Sequence, residues 1–193
     1  MQTLSVWCRW LPDGRYQKGP MLSGWPGSAL LGERIAEVFT GGHDCVMLEN
    51  HGVVVGGWDF QEAFRRFEML EFVAKTIVKA SALGEVRYLS DAELSIGVKP
   101  VTAMETFAAG EASSEERLLR TERCDFIRRG YQQRLLTSAA GSFSVRVDEE
   151  SFLITGELVD RATVTPDQLV LVRGGRCEAG GRPSRAHLLH API

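Results

Sequence analysis

The residues best placed to do chemistry are one histidine between two apolar strands and a pair of histidines near the end of the sequence. His51 stands in Met47-Leu48-Glu49-Asn50-His51-Gly52-Val53-Val54-Val55-Gly56-Gly57. There an apolar strand runs into the imidazole, a glycine lets the backbone turn closely beside it, and a second apolar strand leaves. An imidazole at the mouth of a buried sheet suits a metal ligand, and it suits equally a histidine hydrogen-bonded at a strand end. His187 and His190 are three apart on a nascent helix, a spacing open to metal, but no carboxylate lies nearby. Surface or core-facing histidines are the plainer reading of that pair. The four cysteines, Cys8, Cys45, Cys124 and Cys177, are widely spaced with no Cys-x-x-Cys. That argues against a disulfide framework or a zinc knuckle and for buried, reduced thiols. Cys45 lies in the strand leading to His51, six residues away, and is expected to point into the core.

The elements that must carry these groups follow from periodicity. Residues 4–10 alternate as a strand, with turns at Pro12-Asp13-Gly14 and Gly19-Pro20. Ser28 is the expected N-cap of a helix whose stripe is Leu30, Leu31, Ile35, Val38 and Phe39, stopped by Gly41-Gly42. Residues 45–49 and 52–56 are strands hinged at His51. A long helix begins near Asp59 with Glu62 three residues on, a capping box in which Asp replaces the usual Ser or Thr. Ala63, Phe64, Phe67, Leu70, Ala74 and Ile77 give it a continuous apolar stripe, which predicts burial against another layer or another subunit. Residues 84–116 have the weakest signals, with Gly97 and Lys99-Pro100 and a small, acidic stretch reading as a linker at 109–114. A further helix covers about 115–134. Then come a hairpin from Phe143–Val147 and Ser151–Thr155, a helical turn at Thr165-Pro166-Asp167-Gln168, a buried strand over Leu169–Val172, and a turn at Gly174-Gly175.

The chain has 193 residues, 44% hydrophobic and 24% charged, an ordinary globular balance long enough to bury a core. A net charge of −3 gives no field for nucleic acid or an anionic membrane. The first residues lack the layout of a signal peptide and no apolar run reaches membrane-span length, so a cytoplasmic location is the expectation.

Two segments carry a family resemblance. Residues 26–83, with Asn50-His51-Gly52 and the Glu62-Ala63-Phe64 start of the long helix, resemble the C-terminal half of the class II aldolase/adducin family. Residues 115–193 resemble its N-terminal half. There Gly141-Ser142-Phe143-Ser144-Val145-Arg146 follows a Gly-Asn-x-Ser-x-Arg pattern, Thr165-Pro166-Asp167-Gln168-Leu169-Val170 a Thr-Pro-x-x-Leu-Val turn, and Arg182-Pro183-Ser184 the approach to the first long helix. The resemblance implies an α/β fold, a three-layer α/β/α arrangement with a mixed, mostly antiparallel sheet, present as two incomplete halves. These are 1–108 as the C-terminal half of one unit, 109–114 as linker, and 115–193 as the N-terminal half of a second. That order is expected of a chain spanning the junction of two fused units. The piece between, a short helix and a strand with a His-x-His pair, is missing, and no His-x-His occurs in the sequence. Packing of the halves as a circular permutant is disfavoured, because the absent strand leaves backbone groups unpaired unless a dimer fills the gap.

What the resemblance implies chemically is zinc acting as a Lewis acid on the ketone of a sugar phosphate, held by three imidazoles beside an acid/base carboxylate. His51 falls on the family's third zinc ligand. Gly141, Ser142, Thr155, Ser184 and Arg185 fall on its substrate-binding positions. The catalytic glutamate position holds Ala186, the phosphate-loop asparagine is Ser142, and a Thr-Pro-Ser-Gly loop reads Thr155-Gly156-Glu157-Leu158. Glu157 brings negative charge to the phosphate position and Leu158 replaces a glycine. Arg185, where the family has a serine, is either a cationic fork for an acidic ligand or a solvated arginine. Two functions follow. One is zinc-dependent aldol cleavage or epimerisation of a sugar phosphate in a complete form, with the other metal ligands outside this chain. The other is a non-catalytic module, as in adducin, for assembly or ligand binding. Expected partners are a second copy or an adjoining aldolase-like unit and a small phosphorylated sugar.

Overall fold

A computed structural model of the chain describes residues 7–10, 16–18, 21–90, 92–93 and 103–193. The turns expected at Pro12-Asp13-Gly14 and Gly19-Pro20, and the Gly97 and Lys99-Pro100 stretch, lie outside them. The chain divides into two units, Met1–Pro100 and Val101–Ile193.

In the first unit β1 (Trp7–Trp10) pairs antiparallel with β2 (Tyr16–Lys18). A separate three-stranded sheet has the order β3 (Met21–Leu22), β4 (Cys45–Leu48), β5 (Gly52–Val55). β3 runs parallel to β4 and β5 antiparallel to it, with Met47 opposite Val53 and Leu48 opposite Gly52. The parallel step is made by α1 (Ala29–Thr40), capped as its sequence predicts by Ser28, whose Oγ accepts from Leu31 N at 3.2 Å. α2 (Phe60–Leu83) starts at Asp59, whose carboxylate accepts from Glu62 N at 2.7 Å. The reciprocal bond of the expected box is shifted by one residue, because Glu62 Oε2 takes Trp58 N at 2.7 Å. Gly57 permits this tight entry: a Cβ there would lie 2.6 Å from the Ala63 backbone nitrogen. Leu70 is the buried contact of α2, packed with Cys45 against Met47, Val53 and Val55. The rest of the predicted stripe is less covered, with Phe64 52% and Phe67 48% exposed.

The second unit is one five-stranded sheet in the order β6 (Thr106–Phe107), β10 (Arg176–Glu178), β9 (Leu169–Arg173), β8 (Ser151–Thr155), β7 (Ser144–Arg146). All neighbours are antiparallel except β6 with β10, so the sheet is mixed and mostly antiparallel, as expected. β6 draws residues ahead of the expected 109–114 linker into this sheet, and the contact division accordingly falls at Pro100/Val101. The β8 residues are buried on both faces of the sheet. On one face α3 (Ser114–Gln132) lays Cys124 and Ile127 on Val159, Val164 and Leu169. On the other, Phe152, Ile154, Val170, Val172 and Cys177 pack with Met104. Each fully buried aliphatic side chain here stabilises by about 1.5–3 kcal/mol.

Arg120 on α3 ties helix to sheet. Its Nε donates to Glu116 Oε1 at 2.8 Å, its Nη1 to the carbonyls of Pro166 and Leu169, and its Nη2 to the Glu178 carboxylate at 3.2 Å. Cys45, Cys124 and Cys177 are buried, as expected of core thiols. Burial pushes the Cys124 thiol up, which keeps it neutral and unreactive. No helix among the described residues is long and apolar enough to cross a membrane.

Candidate functional site

Three segments of the second unit meet at one end of its sheet. The first is the loop joining α3 to β7, where Gly141 adopts φ 93, a backbone conformation open to glycine. The second is the end of β8 at Thr155. The third is Pro183-Ser184, leading into the short helical turn α4 (His187–His190). An antiparallel bridge joins Gly156 to Pro183, flanked by Ser184 N to Thr155 O at 2.9 Å and Glu157 N to Arg182 O at 2.7 Å. Thr155 therefore lies beside Ser184, and Glu157 beside Arg182.

The side chains reinforce this. Ser142 Oγ is 2.6 Å from Ser184 Oγ, and Thr155 Oγ1 accepts from Phe143 N at 3.2 Å. Ser184 Oγ also accepts from Ala186 N at 3.3 Å. Of the five residues expected to bind substrate, Gly141, Ser142, Thr155 and Ser184 are thus brought into one constellation 42 residues apart in sequence at its widest hydrogen bond. Arg185 is exposed at its border. Ala186 begins the helical turn with a methyl group, which holds and moves no proton.

Glu157 and Leu158 project from the same loop, both exposed. Leu158 has φ 56, so the backbone follows a left-handed path here while carrying a side chain that disfavours it. The two histidines of the third segment have partners. His187 is buried and donates from Nδ1 to Ser184 O at 3.0 Å. His190 Nδ1 is 2.6 Å from Ser144 Oγ. These contacts fit the core-facing reading of the pair.

Sequence patterns gave no signal for Arg161, which supports the first segment from beneath. It is 3% exposed and donates from Nε and Nη2 to Gly141 O at 3.1 and 2.7 Å, and from Nη1 to Val159 O. Burial holds its guanidinium below the usual arginine range, partly offset by Asp160.

His51 is elsewhere, in the first unit, at the exposed tip of the β4–β5 hairpin. Its N–H donates to Leu48 O at 3.2 Å and Asn50 takes the left-handed position at φ 55. Among the described residues no group of three or more His, Cys, Asp or Glu side chains is arranged to hold a metal ion. The donor set present around His51 therefore does not fit the three-imidazole zinc site that the motif implies.

A family model described as class II aldolase and adducin N-terminal domain matches residues 14–78 and 121–193. No curated protein and no solved structure matches the chain.

Proposed function

The chain belongs to the class II aldolase and adducin family, and from that premise we propose that its second unit is a non-catalytic aldolase-fold module that binds a small phosphorylated sugar. The observation that carries this reading is the meeting of Ser142, Thr155 and Ser184 beside a methyl group at Ala186. Hydroxyls on short loops donate to phosphate oxygens without needing a metal. Aldol cleavage needs in addition a group that takes up and returns a proton, and alanine supplies none. Glu157 weakens a dianion's attraction to this place, so the reading favours a ligand held by hydroxyls and backbone donors more than by charge.

A second reading is favoured by one observation, the exposure of His51 at a hairpin tip. Such an imidazole is open to donors from a second copy or an adjoining unit. In that complete form it serves as one zinc ligand of a lyase or epimerase.

The test pairs binding with turnover on the full chain. A ketose phosphate is expected to bind, Ser184→Ala to weaken it about tenfold, and no aldol cleavage to occur with or without added zinc. Stoichiometric zinc uptake with cleavage that His51→Ala abolishes overturns this in favour of the second reading.

A further inference from the structure

We propose that Arg161 is a positioning residue that turns the Gly141–Ser142 peptide so that the Ser142 N–H faces the ligand. The inference rests on the ligand-binding reading of the second unit and deepens it by naming a backbone donor and what aims it.

The guanidinium of Arg161 is buried, and every hydrogen bond it makes among the described residues goes to a backbone carbonyl. Two of its nitrogens converge on Gly141 O, at 3.1 and 2.7 Å. A third holds Val159 O. Its own N–H donates to Ser138 O at 2.9 Å, so the arginine is fixed at the backbone as well as at the fork. A planar fork with two donors on one acceptor sets direction as well as distance, which a lysine ammonium does not. The carbonyl of Gly141 is thereby drawn inward, to a residue that is 3% exposed.

A peptide is planar, and in its trans form the N–H points opposite to the C=O. With the Gly141 carbonyl aimed at the buried guanidinium, the Ser142 N–H points away from it. That N–H has no acceptor among the described residues, whereas the next one, Phe143 N–H, is taken by Thr155 Oγ1. Gly141 at φ 93 supplies the backbone conformation that makes the turn. The donor lies on the same residue as the hydroxyl that meets Ser184 Oγ at 2.6 Å. One N–H and two hydroxyls so gathered suit an anionic oxygen such as that of a phosphate, and the arginine contributes by orientation and not by contact.

Backbone amide NMR on the full chain tests this with inorganic phosphate and a ketose phosphate as probes. Without ligand, the Ser142 amide is expected to exchange with solvent unprotected. With ligand it is expected to shift downfield and gain protection, while the amides of Thr155 and Ser184, already bonded to Phe143 O and Thr155 O, are expected to shift only. Arg161→Lys is expected to lose the Ser142 response and to weaken binding about tenfold, the worth of one hydrogen bond to a charged group. A merely structural role lowers stability without removing that one response. Should Arg161→Lys fail to fold, the wild-type chain decides alone: a Ser142 amide protected before ligand is added overturns the proposal. Thr155 and Ser184 responding while Ser142 stays still also overturns it and leaves the binding reading standing. No response at any of the three removes both.

Discussion

Leu158→Gly is expected to stabilise the second unit, against the usual direction of a leucine-to-glycine change. Leu158 is held at φ 56, where an L-residue pays about 1–2 kcal/mol for the closeness of its Cβ to the following carbonyl oxygen. Glycine escapes that strain but loses about 0.5–1 kcal/mol through its greater freedom in the unfolded chain. At 69% exposure the leucine buries little that its removal would forfeit. The midpoint difference is a gain of about 0.75 kcal/mol, within bounds of about 0 and 1.5, or about 3–6 °C in Tm at the midpoint for a unit of this size. Leu158→Ala keeps the strained Cβ and is expected to be neutral or slightly destabilising. Equilibrium urea unfolding compares the two variants. Far-UV circular dichroism is the signal to follow, because all four tryptophans lie in the first unit. A midpoint for the glycine variant at or below that of the alanine variant means that Leu158 stores no such backbone strain.

Other consequences concern charge and pH. Glu157→Gln is expected to tighten binding of a sugar phosphate about two- to fivefold at low ionic strength, with the gain fading as salt rises; calorimetric titration at two salt concentrations checks both parts. Arg120→Ala leaves Glu116 and Glu178 without their shared cation and is expected to cost about 3–5 kcal/mol, read from the urea midpoint. Asp148 accepts from Glu150 N–H at 2.9 Å, and that bond, with a further one from Ser151, holds its carboxyl below the ordinary aspartate range. A lowered folded pKa gives stability that is complete above the unfolded value and lost as pH falls through the folded one. Hairpin amide protection at β7–β8 should therefore drop below about pH 4, and Asp148→Asn should flatten that dependence.

Much of this was legible where local chemistry decides. Ser28 and Asp59 are caps because a short side-chain oxygen can reach the first free N–H groups of the helix that follows. The hairpin of β7 and β8 and the Gly174-Gly175 turn, at φ 53 and 76, follow from alternation and turn residues. The run of motifs around Gly141, Ser142, Thr155 and Ser184 marked three segments that the fold gathers at one end of the sheet. Arg161 was not, because its role is a contact with a carbonyl 20 residues away. β6 has two residues and no periodicity, so its pairing with β10 is visible only once the sheet is formed. The shift of Glu62 from Asp59 to Trp58 is likewise set by how closely Gly57 approaches Ala63.

On the proposed reading the hydroxyl cradle of the second unit binds a phosphorylated sugar without metal. The deciding experiment is calorimetric titration of a ketose phosphate into the full chain, kept in excess chelator, with the Ser142→Ala/Ser184→Ala double variant alongside. Saturable binding at one site per chain, lost in the double variant, is the result predicted. Absence of binding in chelator, with binding restored by one equivalent of zinc and unaffected by the double substitution, would contradict it.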